Sequence, residues 1–286
     1  MEIISEGQVE PHRLRALVKL IVDLKEPDVQ DIYDLLQPAA LTTDQSAVKA
    51  TFRIAVDCGL VADSKNTRAL VSAEQVETMT AFQKLMQQCL LNVTEEGRPN
   101  YRLNLYTAWY AVQNERVFRE LATLGYDGPF NTEVFPNTSE SDERRFNSTK
   151  LNGWRKWATF LGFGWIRRIG SASIVIPDAT VRLHTSLDAL LQDKQRISFG
   201  QFMKRLATTC PELDGGKLFD YCWQASRGAE QPGNQVSLMV STGLRTLYSQ
   251  GVIELSEQAD ALDIWHLYPA EGSLYQRVTH IQRIGA

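Results

Sequence analysis

The sequence predicts a mainly α-helical protein with small β-hairpins, an α+β arrangement of tandem winged helix-turn-helix units. Three observations carry that expectation. Apolar residues recur at three- and four-residue spacing along much of the chain, the signature of amphipathic helices. Three helical stretches end at a glycine, Gly59, Gly162 and Gly251, just before a β-rich segment. A turn and a return strand follow each glycine, and the whole pattern repeats at roughly 90–100 residues, as tandem copies of one small domain would.

The first unit spans residues 1–100. Leu14, Leu17, Val18, Ile21 and Val22 share one face of a helix that Pro27 closes. Val29, Ile32, Tyr33, Leu35 and Leu36 make a second helix, stopping at Pro38. Thr42 and Thr43 are candidate N-caps for a third, in which Ala47, Phe52, Ile54, Ala55 and Val56 are apolar. Gly59 suits a left-handed C-terminal cap. A strand over 60–62, a polar turn over 63–68 and a return strand over 69–71 complete the order helix, helix, helix, hairpin.

The second unit, residues 101–184, opens with a long helical stretch over 101–124. It is rich in aromatics at Tyr106, Trp109, Tyr110 and Phe118, and Gly125 ends it. Turns at Asp127-Gly-Pro129 and over 136–142 form a loop before the helix that carries Trp154, Trp157 and Phe160. Beyond Gly162 come Trp165, Ile166, Arg167 and Arg168, a turn at 169–172, and a strand over 173–176 that Pro177 ends.

The third unit, residues 185–286, reads as helices over 185–193, 199–206 and 217–224, with a break at Asp214-Gly215-Gly216. A Gly/Pro/Asn-containing loop over 227–234 precedes a helix over 236–250 that holds Leu238, Met239, Leu244, Leu247 and Tyr248. Gly251 caps it, a strand follows over 252–255, and a turn at 257–261 leads to a return strand over 262–268.

Composition fits a folded chain. The 286 residues are 43% hydrophobic and 22% charged, with 30 Lys+Arg against 34 Asp+Glu for a net charge of −4. Disordered chains combine low hydrophobicity with high net charge. The longest apolar stretches, such as 16–24, carry Lys19 and Asp23 and fall short of the ~18–20 apolar residues that span a bilayer. The acidic N-terminus lacks the basic segment of a secretory signal, so a cytoplasmic protein is expected. Cys58, Cys89, Cys210 and Cys222 lie far apart, as reduced, mostly buried thiols would.

A catalytic reading finds little support. His12, His184, His266 and His280 are scattered without metal-ligand spacing, and no CxxC pair or phosphate-binding GxxxxGK[ST] loop occurs. Gly162-Phe-Gly164 lacks the last glycine of a dinucleotide fingerprint and sits where a helix gives way to a strand, the reverse of what that fingerprint requires. Gly170-Ser-Ala-Ser173 lacks the second glycine of a nucleophile elbow. The acidic pairs Glu95-Glu96 and Asp142-Glu143 read as solvated surface. The expectation is a non-enzyme with no catalytic residue, no metal and no cofactor.

Charge placement says more. Residues 144–168 hold seven basic side chains, Arg144, Arg145, Lys150, Arg155, Lys156, Arg167 and Arg168, and no acidic one. Trp154, Trp157 and Trp165 are interleaved with them. A local positive patch is what phosphate recognition needs, whatever the net charge. The alternative is a solubilising basic face beside a tryptophan-rich core, and the tryptophans themselves fit the core better. In the first unit Gln45, Lys49 and Arg53 on the third helix and Lys65 and Arg68 on the hairpin can reach bases or phosphates, or can form an ordinary exposed face. The helix of the third unit has Arg245 as its only charge, which fits packing against protein better than entering a groove.

The blocks Phe52-Arg-Ile-Ala-Val-Asp-Cys-Gly59-Leu-Val, Trp154-Arg-Lys-Trp-Ala-Thr-Phe-Leu-Gly162 and Leu244-Arg-Thr-Leu-Tyr-Ser-Gln-Gly251-Val-Ile look like winged-helix units. In overall length, early winged helix and later Trp/Arg-rich helix, the chain resembles the DpdG-like proteins. These are accessory components of bacterial clusters that place 7-deazaguanine derivatives into DNA and restrict foreign DNA. The resemblance implies a cytoplasmic, non-catalytic subunit working beside helicase or ATPase partners in anti-phage defence, and it carries over no active-site residues.

The expected function is therefore an adaptor subunit that binds double-stranded DNA through phosphates, with no membrane partner. Two other readings stay open. One is a winged-helix scaffold whose basic patch faces an acidic protein. The other is a transcriptional regulator, which would ordinarily be a symmetric dimer on a two-fold operator.

Overall fold

The computed structural model describes residues 2–62, 67–121, 125–139, 144–169, 172–192, 196–229, 232–260, 262–270 and 276–284. A 3-10 turn at Ile3–Ser5 comes first, then α1 (Pro11–Leu24), α2 (Val29–Leu36), α3 (Ser46–Asp57), β1 (Val61–Ala62), β2 (Arg68–Ala69), α4 (Ala73–Glu77) and α5 (Met79–Leu90). Next are α6 (Tyr101–Gln113), a 3-10 turn at Asn114–Val117, α7 (Asp127–Val134), α8 (Ser148–Leu161), β3 (Gly164–Ile169), β4 (Ala172–Pro177) and α9 (Thr180–Leu191). The chain ends with β5 (Ile197–Ser198), α10 (Phe199–Thr209), α11 (Lys217–Arg227), α12 (Leu238–Ser249), β6 (Ile253–Ser256), β7 (Trp265–His266), β8 (Arg277–Val278) and β9 (His280–Arg283). The class is mainly α with small antiparallel strand pairs, as the sequence predicts.

Two compact units result. One comprises Met1–Val93, Gly97–Leu103 and Ser148–Leu161, the other Thr94–Glu96, Asn104–Asn147 and Gly162–Ala286. In the first of them α8 packs on the N-terminal segment.

In the first unit α1 begins at Pro11, where the missing N–H is one the helix would leave unbonded anyway. Its buried face is Leu14, Leu17, Val18 and Ile21, the spacing read from the sequence. Asp28 caps α2 by accepting from the Gln30 N–H at 2.8 Å. The third helix starts later than Thr42 and Thr43 suggest. Thr42 instead accepts from the Asp44 N–H at 3.2 Å, and Asp44 accepts from the Ser46 N–H at 2.8 Å. Two polar turns are thus used up before α3 begins. The β1–β2 ladder pairs Val61 with Ala69 and Ala62 with Arg68.

Against this group lies α8. At Gly153 the Ile4 carbonyl comes so close that a Cβ would sit 2.2 Å from its oxygen. Trp157 Nε1 donates to the Val9 carbonyl at 3.2 Å, and Gln87 donates to the Leu161 carbonyl at 2.7 Å. Trp154 and Trp157 are buried, in line with the core reading of those two tryptophans.

The second unit is built around aromatic rings. Tyr106 stacks on Phe146 with centroids 4.1 Å apart, and Trp109 and Phe130 meet edge to face at 5.4 Å. Asn131 clamps Phe146 from both sides of its peptide, accepting from its N–H at 2.7 Å and donating to its carbonyl at 2.8 Å. Three expectations are corrected here. The helix predicted over 101–124 stops at Gln113, because Asn114 adopts a left-handed φ of 52° and turns its side chain to accept from the Leu238 N–H at 2.8 Å, capping α12. The Asp127-Gly-Pro129 turn lies inside α7, whose first turn tolerates a proline with no N–H. The helix predicted from 185 begins at Thr180, where Asp178 accepts from the Thr180 N–H at 2.8 Å.

The β3–β4 ribbon pairs Gly164 through Ile169 with Pro177 through Ala172. The third predicted hairpin is also corrected. Its first strand, β6, pairs with β9 and not with a return strand over 262–268. Within that stretch only β7 is a strand, and it pairs with β8, while β5, β9 and β6 form a three-stranded antiparallel sheet.

Candidate nucleic-acid interface

The seven basic side chains of 144–168 fall into different surroundings. In the first unit Lys156 Nζ lies 2.6 Å from Glu10 Oε1 and holds that carboxyl below its usual range. Arg155 donates to Asn152 at 3.1 Å. Lys150 lies near Glu2, whose carboxyl is raised by burial against the opposing pull of Arg102 and Lys150. In the second unit Arg144 pairs with Glu96 at 3.6 Å, and Arg145 donates to the Thr138 carbonyl at 2.9 Å. Internal acids and carbonyls thus occupy much of the charge that the sequence shows as one uninterrupted block.

Arg167 and Arg168 differ. Both are exposed on β3, and neither forms an ion pair among the described residues. Consecutive strand residues point to opposite faces, so the ribbon carries one guanidinium on each side. Trp165 and Ile166 on the same strand are exposed as well. The core reading therefore fails for Trp165. The adjacent Arg167-Arg168 pair was the available signal, because two successive charges leave neither face of that strand end dry.

The first-unit candidates sit on α3 and β2. Gln45 precedes α3 and donates to Asp34 at 3.2 Å. Lys49 and Arg53, one helical turn apart, are exposed, and Lys49 Nζ stands 5.9 Å over the Tyr33 ring. Arg68 is exposed on β2. Lys65 lies outside the described residues. Asp34 and Asp44 flank this face, so its positive potential is partly offset.

Among the described residues no group of three or more His, Cys, Asp or Glu could hold a metal ion, and no helix is long and apolar enough to cross a membrane. Fold and site together define a helical, hairpin-bearing protein whose uncommitted positive charge is presented on a β-ribbon. The family model described as DpdG-like matches residues 1–261, and the chain belongs to that family. Membership links it to the DNA-modification systems in which such proteins occur. No curated protein and no solved structure matches the chain.

Proposed function

We propose that this protein is a non-catalytic, DNA-binding adaptor subunit of a bacterial DNA-modification and restriction assembly, acting in the cytoplasm beside a helicase or ATPase of the same system. The observation that carries the reading is the pair Arg167 and Arg168, exposed on β3 with no ion-pair partner among the described residues. Helix, helix, helix and hairpin follow in order over 11–69, the order in which winged-helix proteins present a helix and a wing to duplex DNA. Phosphate contacts would supply affinity, and a few polar side chains such as Gln45 any base preference.

The test is fluorescence-anisotropy binding to a random duplex across a salt series, for wild type and for Arg167→Glu/Arg168→Glu. Binding that weakens steeply with salt and collapses in the variant supports the reading. A protein that binds neither duplex nor single-stranded DNA at low salt overturns it.

A protein-binding scaffold is the second reading, and one observation favours it. The first unit has a groove of about 340 Å³ lined by Arg13, Leu17, Leu36, Gln37, Val48 and Thr51. Leu35 and Leu41 are exposed nearby, Leu41 at 83%. Co-purification with a partner, lost in Leu36→Asp but kept in the arginine variant, would assign that groove to protein contact.

A further inference from the structure

The β3–β4 ribbon carries more than duplex binding requires. Phosphate contacts explain Arg167 and Arg168 and leave the large apolar pair beside them unexplained, Trp165 at 49% exposure and Ile166 at 47%. Strand periodicity places Trp165 with Arg167 on one face and Ile166 with Arg168 on the other. Opposite them in β4 stand Ile176, Ile174, Val175 and Ser173 respectively. The inner strand is held in place. Ile174 and Val175 are buried, and Tyr110 Oη donates to the Val175 carbonyl at 2.6 Å. Gly164 admits the Ile176 carbonyl where a Cβ would lie 2.1 Å from it. A fixed β4 therefore presents β3 as an outer strand with its large side chains in water.

Charge narrows the occupant. No acidic residue occurs between 144 and 177, and the first one beyond, Asp178, turns its carboxylate to the Thr180 N–H at 2.8 Å. The ribbon suits a polyanion. An exposed indole among arginines further suits one with open π-faces, and a duplex hides those faces in its stack whereas unpaired bases offer them.

We infer that the β3–β4 ribbon is a site for unpaired DNA bases, with one base stacked on Trp165 and its flanking phosphate held by Arg167 on the same face. The site rests on the DNA-binding reading and narrows it to DNA with single-stranded character. Residues i and i+2 on one strand face stand ~6.6–6.8 Å apart, so Arg167 reaches past the edge of a ring stacked on Trp165.

The experiment uses the full chain and three labelled probes of equal length: a blunt duplex, a single strand and a forked duplex. Trp165→Ala should weaken single-strand and fork binding by roughly 5- to 150-fold, the usual loss of one base–aromatic stack, while blunt-duplex binding changes less than about 2-fold. Trp165→Phe should restore most of the loss. Unchanged melting temperatures would show that the exposed side chain was not needed for folding. Salt-dependent duplex binding with no response of single strands to Trp165→Ala overturns the inference and leaves the DNA-binding reading standing. Failure to bind any of the three probes overturns both. Displacement of single strands by polyglutamate as readily as by unlabelled single strands would show a general polyanion site and would also overturn it.

Discussion

Arg182 Nε donates to Glu212 Oε1 at 2.8 Å in an ion pair almost wholly removed from water, with side-chain exposures of 7% and 0%. The guanidinium also donates to Ser186 Oγ at 3.1 Å and to the Thr209 carbonyl at 3.3 Å, tying α9 to the end of α10 and, through Glu212, to the segment after it. Glu212 Oε2, by contrast, is buried without a hydrogen-bond partner.

That asymmetry sets a prediction. Removing one partner strands the other charge in a dry interior, so Arg182→Ala should cost about 3–5 kcal/mol. Replacing both, as Arg182→Met/Glu212→Leu, removes two desolvation penalties together and should cost much less than the single change. Urea unfolding of the two variants decides it. A double variant as unstable as the single would mean that the pair, and not the relief of an orphaned charge, holds this region.

Gly153 supports a second prediction. A Cβ there would meet the Ile4 carbonyl carbon at 2.9 Å as well as its oxygen, and both are backbone atoms with no rotamer to yield. Gly153→Ala should push the Ile3–Ser5 turn off α8 and cost about 1–3 kcal/mol, the range for overpacking. Hydrogen exchange should quicken at residues 3–9 first. At Gly251 the space is open but φ is 70°, so Gly251→Ala should act by backbone strain alone, without that local signature.

These two sites show what the sequence exposes and what it hides. Local chemistry was legible: the apolar face of α1 and the glycine after α3 follow from periodicity and from a residue suited to a positive φ, while the turn read at 169–172 lies partly outside the described residues. Long-range choices were not. Nothing within five residues of Asn114 says that its side chain will cap a helix starting at Leu238, so an apolar run appeared to continue past it. The pairing of β6 (ending at Ser256) is with β9 (starting at His280), well beyond the nearer candidate partner over 262–268, and sequence proximity favours the near one. At the candidate interface, the run of basic residues was plain, but the acids that neutralise part of it, Glu10 and Glu96, lie far away in the chain.

The cysteines give a third prediction. Burial raises Cys58 and Cys210 to about 12 and Cys222 well above its usual value, and it raises Cys89 too. Since the thiolate is the nucleophile, all four should resist iodoacetamide at pH 8 and react together once the chain unfolds. A single fast-reacting thiol in the native protein would contradict this packing.

The Glu10–Lys156 contact makes a pH prediction. The hydrogen bond from Lys156 lowers the Glu10 carboxyl from 4.5, so the folded state binds this proton less readily than the unfolded chain does. Its stabilisation is then complete above the unfolded value and is lost as pH falls through the lower folded one. Both side chains are about one-third exposed, which screens the pair and keeps the contribution small. Lys156→Met should return Glu10 to an ordinary carboxylate midpoint in a carbon-detected NMR titration. A midpoint that does not move would place the cause elsewhere.

The same contact separates two charge-reversal variants that the sequence alone treats alike. Each phosphate contact adds about −0.9 to the slope of log K against log salt. If Arg167 and Arg168 each hold a phosphate, Arg167→Glu/Arg168→Glu should flatten the slope by about 1.8 and leave thermal stability unchanged, since neither side chain has an ion-pair partner among the described residues to lose. Arg155→Glu/Lys156→Glu should behave differently. Lys156 already faces Glu10, so its reversal sets a second carboxylate against that residue and lowers the melting temperature, while the slope shifts by less than about 1. A large slope change in the second variant with none in the first would move phosphate recognition from the ribbon to α8. The ribbon's exposed tryptophan would then need an occupant other than DNA.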